Sequence, residues 1–390
     1  MNQRVASIRE VPVAMIWWLA VAVAGLLAGC AANANDRVGM PPASSSVTRA
    51  SGESPADSSE LGRPLAPSPS SVPAPTPRSA GTAAFADVPY PFPVQYRSFE
   101  SQGLALSMAY MDVKPDGGAH GSVVLLHGKN FSGAYWEATA RALVAAGFRV
   151  VMPDQIGFGK SSKPTEYQYS FHALAAHTRE LLESLEIDRA HVVGHSMGGM
   201  LATRFALMFP EQSRSLVLVN PIGLENYAQK IGYVDIDAWV ADELSKGVDD
   251  AREYMKQNYF AGAWKSEYEP LLTIQRTAIE SPARRELALV SAKTYDMILT
   301  QPVLDDFPRV NVATLLIMGQ RDRTAVGKAW ASPKVRETLG DYPRLGREAA
   351  RAIPRAKLVE LPALGHLPQV EAPDVVHAKL RDFLCADRQC

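Results

Sequence analysis

The sequence predicts an α/β fold: a mostly parallel central sheet with helices on both faces and a helical insertion between two strands. Three observations predict it. Short apolar or β-branched runs alternate with amphipathic stretches over most of the chain. The strand runs are apolar throughout, as expected for strands covered on both faces. The rhythm breaks once, between Leu224 and about Pro308, where every segment has helical period.

The first residues belong to a different class. Residues 1–29 open with MNQRVASIRE and continue through an apolar run to small residues, the pattern of a secretory signal. The run Val11–Gly29 is also just long enough to be a membrane-anchoring helix. Leu27-Ala28-Gly29-Cys30 resembles the lipobox of bacterial lipoproteins. That resemblance implies cleavage before Cys30 and acylation of its sulfur and amine, and several acyl chains at one site hold a protein firmly at a membrane. Ala31 stands where an aspartate would imply inner-membrane retention, so the resemblance implies the outer membrane of the cell envelope, facing the periplasm. From Cys30 to residue 89 the chain is rich in Ser, Pro and Ala and lacks the apolar surface needed to offset ordering entropy. It reads as a flexible, partly extended tether. Cys385 and Cys390 remain as an even pair, either joined across a short loop in an oxidising compartment or left as thiols on the tail.

The folded domain is expected over 90–390. VQYRSFESQGLALSMAYMDV alternates as a strand pair. The strands that follow read as Ser122–Leu126, Arg149–Met152, His191–Val193, Ser215–Val219, Thr314–Met318 and Lys357–Leu361. Between them lie amphipathic stretches such as FHALAAHTRELLESL. The insertion, about 224–308, reads as a lid or as an elaborate crossover remote from any site. Its Trp239, Tyr254, Tyr259, Phe260, Trp264 and Tyr295 are available to contact a ligand or to fill its own core. With 40 basic and 41 acidic residues the charge is balanced, which gives no pointer to nucleic acid. No Cys/His cluster has metal spacing, so no metal or cofactor is expected.

The chemistry gathers at HVVGHSMGGM. A strand runs into Gly194-His195-Ser196-Met197-Gly198 and then into a helix. This pattern puts its serine on a tight strand-to-helix turn, at a helix N-terminus that favours developing negative charge. A serine needs a general base. Among 8 histidines, His366 suits the role, since it lies in a loop after the last strand, at the same sheet edge. His127 sits in the turn after the first parallel strand and His195 beside the serine points elsewhere, while His172, His177 and His377 fall on helical faces. Asp322, one strand ahead of His366, is the orienting carboxylate. Asn220, after the preceding strand, cannot supply the charge. In VVLLHGKNFSG, the backbone N–H of Lys129 should converge with that of Met197 on a substrate carbonyl oxygen. The Lys129 side chain either binds an anionic group or a carboxylate of the insertion, or is merely solvated.

The order Ser196, Asp322, His366, the G-x-S-x-G turn, the HG turn and the helical insertion resemble the α/β-hydrolase superfamily. PDQIGFGKSSKP adds the D-x-x-G-x-G-x-S turn common there. That stretch ends like a phosphate-binding loop, yet Asp154 stands where such a loop requires glycine, which excludes nucleotide binding. The resemblance implies an α/β-hydrolase fold and a Ser-Asp-His hydrolase that needs no cofactor. The expected substrate is a small-molecule ester with a small or medium acyl group. Cleavage of a C–C or amide bond by the same residues is the alternative, and a non-catalytic binding lipoprotein is the reading from another class. Lys129-Asn130 departs from the Gly-Pro-rich turn of many C–C hydrolases. Oligomeric state is not legible.

Overall fold

The computed structural model describes residues 79–386. The signal segment, Cys30, most of the tether and Cys390 lie outside the described residues. Eight strands form one sheet in the order β1-β2-β4-β3-β5-β6-β7-β8. They are β1 (Gln95–Ser101), β2 (Leu104–Val113), β3 (Gly121–Leu126), β4 (Phe148–Pro153), β5 (Ala190–His195), β6 (Ser213–Val219), β7 (Thr314–Gly319) and β8 (Ala356–Leu361). The hairpin β1–β2 attaches antiparallel to β4, and every pairing from β4 to β8 is parallel. The strand pair and the six expected strands are therefore all present, each within two residues of the expected ends.

β5 and β7 are buried along their whole length and β3 from Val123 to Leu126, which is why they read as apolar runs. Both faces carry a core. On one, helices Phe171–Ser184 and Met197–Met208 cover Val124, Leu126, Val192 and Leu216. On the other, helices Glu137–Ala145 and Pro373–Leu384 cover Val123, Leu125, Val193 and Ile317. Helix Phe171–Ser184 shows how sequence makes such an element. Ser170 caps it by accepting from the Ala173 N–H at 3.1 Å, and Phe171, Leu174, Ala175, Thr178, Leu181 and Leu182 recur at helical spacing on its buried face.

Between β6 and β7 there is no strand, and the longer helices are Ile236–Ser245, Val248–Asn258 and Arg284–Thr300. The boundary expected at residue 90 falls too late. Phe85 is 2% exposed and packs with Val88 against Leu287, while the Gly81 N–H donates to Glu286 at 3.2 Å. These few apolar residues at the end of a polar tract have a partner in the insertion, invisible from local composition. Asp154, in the turn that mimics a phosphate loop, is a brace. Its carboxylate accepts from the Gly133 and Lys160 N–H groups, each at 2.7 Å, and from the Tyr90 hydroxyl at 2.5 Å.

Candidate active site

Ser196 is the single residue between the end of β5 and helix Met197–Met208, with φ 56° and ψ −123°. A serine in this region is strained and persists only where its surroundings over-determine it. Here the glycines do so. A Cβ on Gly194 would overlap the Gly198 carbonyl, one on Gly198 would overlap the Leu126 carbonyl, and one on Gly199 would meet Pro221. The turn is thus wedged between β3 and the start of the helix, with no room for side chains. The Ser196 N–H donates to Val219 O at 3.2 Å, and its carbonyl accepts from Gly199 N–H at 2.9 Å and Ile222 N–H at 3.2 Å. Met197 is the first residue of the helix, so its N–H has no intrahelical acceptor.

The turn after β3 packs directly on this serine. A Cβ on Gly128 would lie 3.1 Å from both Ser196 Cβ and His195 Nδ1, tighter than ordinary contact, so glycine lets the turn come close without displacing either side chain. His127 shapes it: its Nε2 accepts from the Gln155 N–H at 3.0 Å, leaving Nδ1–H to donate to Gly128 O at 2.9 Å. Burial pushes the pKa of His127 down, in keeping with this neutral form. Among the described residues, neither the Lys129 nor the Met197 N–H donates to another group. Both N–H groups expected as oxyanion donors are therefore unspent.

Asp322 and His366 meet as expected. Both are fully buried, and His366 Nδ1–H donates to Asp322 Oδ2 at 2.6 Å. The same oxygen accepts from Asn220 Nδ2 at 2.9 Å, and Oδ1 accepts from the Thr324 N–H at 2.8 Å. A buried carboxylate is tolerable only when its lone pairs are matched in this way. With the proton on Nδ1, Nε2 is left as an acceptor, and it has no hydrogen-bond partner among the described residues. Ser196 is 6% exposed.

Sequence reasoning passed over three residues at this site. Asn220, set aside for lacking charge, has φ 37°, accepts from the Gly319 N–H at 2.8 Å, and steers the Asp322 carboxylate. His195 does not point elsewhere. Its ring centroid lies 4.7 Å from that of His366, its Nε2–H donates to His366 O at 2.9 Å, and Tyr135 OH bonds to its Nδ1 at 3.0 Å. Burial holds its pKa well down, so it is a neutral donor. Tyr259 of the insertion accepts the His366 N–H on its carbonyl at 2.9 Å. Asn220 at the end of its strand, Tyr259 among the aromatics of the insertion and a histidine beside the serine were the available signals, but the contacts these residues make join positions distant in sequence.

The Lys129 side chain turns into the insertion. Its Nζ donates to Ser291 Oγ at 2.7 Å and lies 3.5 Å from the centre of the Tyr295 ring. Ser291 Oγ in turn donates to Glu243 at 2.6 Å. Burial pushes the Lys129 ammonium down to about 8, against the opposing pull of Glu243. Tyr295 stacks on Trp239 at 4.4 Å. At the other end, Cys385 is disulfide-bonded. Among the described residues no group of three or more His, Cys, Asp or Glu side chains is arranged to hold a metal ion.

Residues 121–245 match the family model described as alpha/beta hydrolase fold. The crystal structure of a probable hydrolytic enzyme from Pseudomonas aeruginosa PAO1 is 47% identical, with a TM-score of 0.75, covering 76% of this chain and 95% of that one. A 2-hydroxy-6-oxo-2,4-heptadienoate hydrolase of Pseudomonas putida is 37% identical over 111 residues. That match covers 28% of this chain and only 40% of the relative. Lipase 3 of a Moraxella strain is 25% identical over 254 residues, or 64% of this chain and 73% of the lipase.

Proposed function

The chain belongs to the α/β-hydrolase fold family, and on that premise we propose that it is a serine hydrolase cleaving carboxylic esters of small or medium acyl groups. The observation that carries the reading is the hydrogen bond of buried Asp322 to His366, which leaves Nε2 as the acceptor at the sheet edge where Ser196 stands. In this reading Ser196 Oγ attacks the ester carbonyl and His366 Nε2 takes its proton. Asp322 holds the imidazole in the required tautomer and stabilises the imidazolium. The N–H groups of Lys129 and Met197 receive the oxyanion, each worth about 3 kcal/mol in the transition state. The imidazolium then protonates the leaving alkoxide. Water, activated by the same histidine, releases the acid and restores Ser196. The helical insertion serves as the lid, with Trp239 and Tyr295 facing the acyl group. Ser196 is nearly covered, so substrate entry requires this lid to shift.

C–C bond cleavage by the same residues is the second reading, favoured by the named activity of the P. putida relative. The two are separated by one experiment on the full chain. A series of 4-nitrophenyl esters is turned over by the wild type and not by Ser196→Ala, while a fluorophosphonate labels only the wild type. Labelling without ester turnover moves the assignment to another scissile bond; ester turnover that survives Ser196→Ala removes the nucleophile. The proposal extends to the envelope: Cys30 carries the lipid anchor and the Ser/Pro/Ala tract is its tether. Metabolic labelling with palmitate, lost in Cys30→Ser, is the expected result.

A further inference from the structure

One turn of the helical insertion reaches three loops of the site, those after β3, β7 and β8. The Tyr259 carbonyl accepts the His366 N–H at 2.9 Å, and the neighbouring Asn258 carbonyl accepts the N–H of Arg323, next to Asp322, at 3.4 Å. The Tyr259 hydroxyl accepts from Asn130 Nδ2, beside the expected oxyanion donor, at 3.4 Å. The Tyr259 ring itself lies over the imidazole, with centroids 4.5 Å apart and planes inclined by 34°. Tyr259 is 4% exposed, so these contacts are shielded from water.

The approach is built into the partner loop. A Cβ on Gly365 would overlap the Tyr259 carbonyl, although the backbone of Gly365 is not in the left-handed region. Glycine is needed there for space, not for conformation. The peptide units flanking His366 are thus held from two sides: its carbonyl by His195 of the sheet, its N–H by Tyr259 of the insertion.

We propose that Tyr259 is a positioning residue for His366, so that the base is correctly seated only while this turn of the insertion is docked. The inference rests on the reading of Ser196 as nucleophile and His366 as base. The carbonyl fixes the height of the histidine loop, and the face of the ring favours the imidazolium that forms when His366 takes the serine proton. The titratable groups touching that imidazole are Asp322 after β7, His195 at the end of β5, Tyr342 of helix Tyr342–Ala352 and Tyr259 itself; Tyr227, Tyr254, Lys328 and Glu371, the last paired with Arg321, act on Asp322 beside it. Of the groups that touch the imidazole, Tyr259 alone comes from the insertion.

The test is the rate at which a fluorophosphonate labels Ser196 in the full chain, followed from pH 5 to 9. Tyr259→Phe keeps ring and carbonyl and is expected to label within about twofold of the wild type, since it loses only a long hydrogen bond. Tyr259→Leu removes the ring, which is expected to lower the labelling rate about fivefold, with Tyr259→Phe restoring it. Gly365→Ala displaces the carbonyl and is expected to slow labelling about tenfold or more, as small misplacements of a catalytic group do. Should Gly365→Ala fail to fold, the rate of Tyr259→Leu against that of Tyr259→Phe decides. An unchanged rate in Tyr259→Leu, or a loss shared equally by Tyr259→Phe, overturns the proposal. A wild type that is not labelled, or labelling that persists in Ser196→Ala, overturns the underlying reading instead.

Discussion

The sheet edge and the helical insertion are held together by different means. At the sheet edge Asp322 is fully buried, with its oxygens matched by Asn220, Thr324 and His366. Three glycines let backbone meet backbone. In the insertion, Glu269 is 40% exposed and is bridged by Arg252 and by an Arg276 equally exposed. Buried, hydrogen-bonded charge tolerates no vacancy, because the partner left behind keeps its desolvation penalty. Exposed pairs cost little to break. The contrast teaches that Asp322 and His366 sit where a lost partner costs most, while the exposed ion pairs within the insertion cost little to break.

Four substitutions would break or sharpen this contrast. Asp322→Asn keeps the shape but stabilises the wrong tautomer of His366, and esterase kcat should fall by about 10⁴-fold with folding intact by circular dichroism. A loss below tenfold would mean that the buried carboxylate is only structural. Gly198→Ala drives a methyl group into the Leu126 carbonyl. Overpacking of this kind should destabilise the protein by about 3 kcal/mol, read in urea unfolding, and a neutral result would show the turn to be as yielding as the insertion.

Lys129 joins the two regions, and its ammonium titrates at about 8. An unfolded lysine keeps its proton to about 10.4. Between these values the unfolded chain binds the proton that the native state has released, so stability should rise with pH across that window. The wild type should gain up to about 1 kcal/mol per pH unit relative to Lys129→Met, with no relative slope below pH 7. A flat difference curve would place the ammonium in open water. Arg252→Ala should leave the urea-unfolding midpoint nearly unchanged, and its effect should shrink further at 0.5 M salt. A large drop in the midpoint would make the insertion as rigid as the sheet edge.

Much of this site was legible because its signals are local. The G-x-S-x-G turn states its own geometry within five residues, as the overlaps at Gly194 and Gly198 show. Asp322 and His366 follow strands whose apolar runs mark them, and strand order then carries both side chains to one edge. Asn220 was legible as a position and misread as a role. It was dismissed for lacking charge, yet an amide is the group that can donate to a buried carboxylate. Lys129 was legible as a backbone donor, whereas its side chain's partners on the insertion were not.

By itself the sequence determined the alternation of strands and helices, the turn that presents Ser196, and the places of Asp322 and His366 in loops after their strands, since all of these follow from short-range sterics and periodicity. Only the tertiary structure decided that His195 holds the His366 carbonyl, that Tyr259 holds its N–H, and that Phe85 belongs to the folded part. Each of these is a contact between elements that chain connectivity leaves far apart. Such contacts are selected by which surfaces remain to be buried once the sheet and its helices have packed.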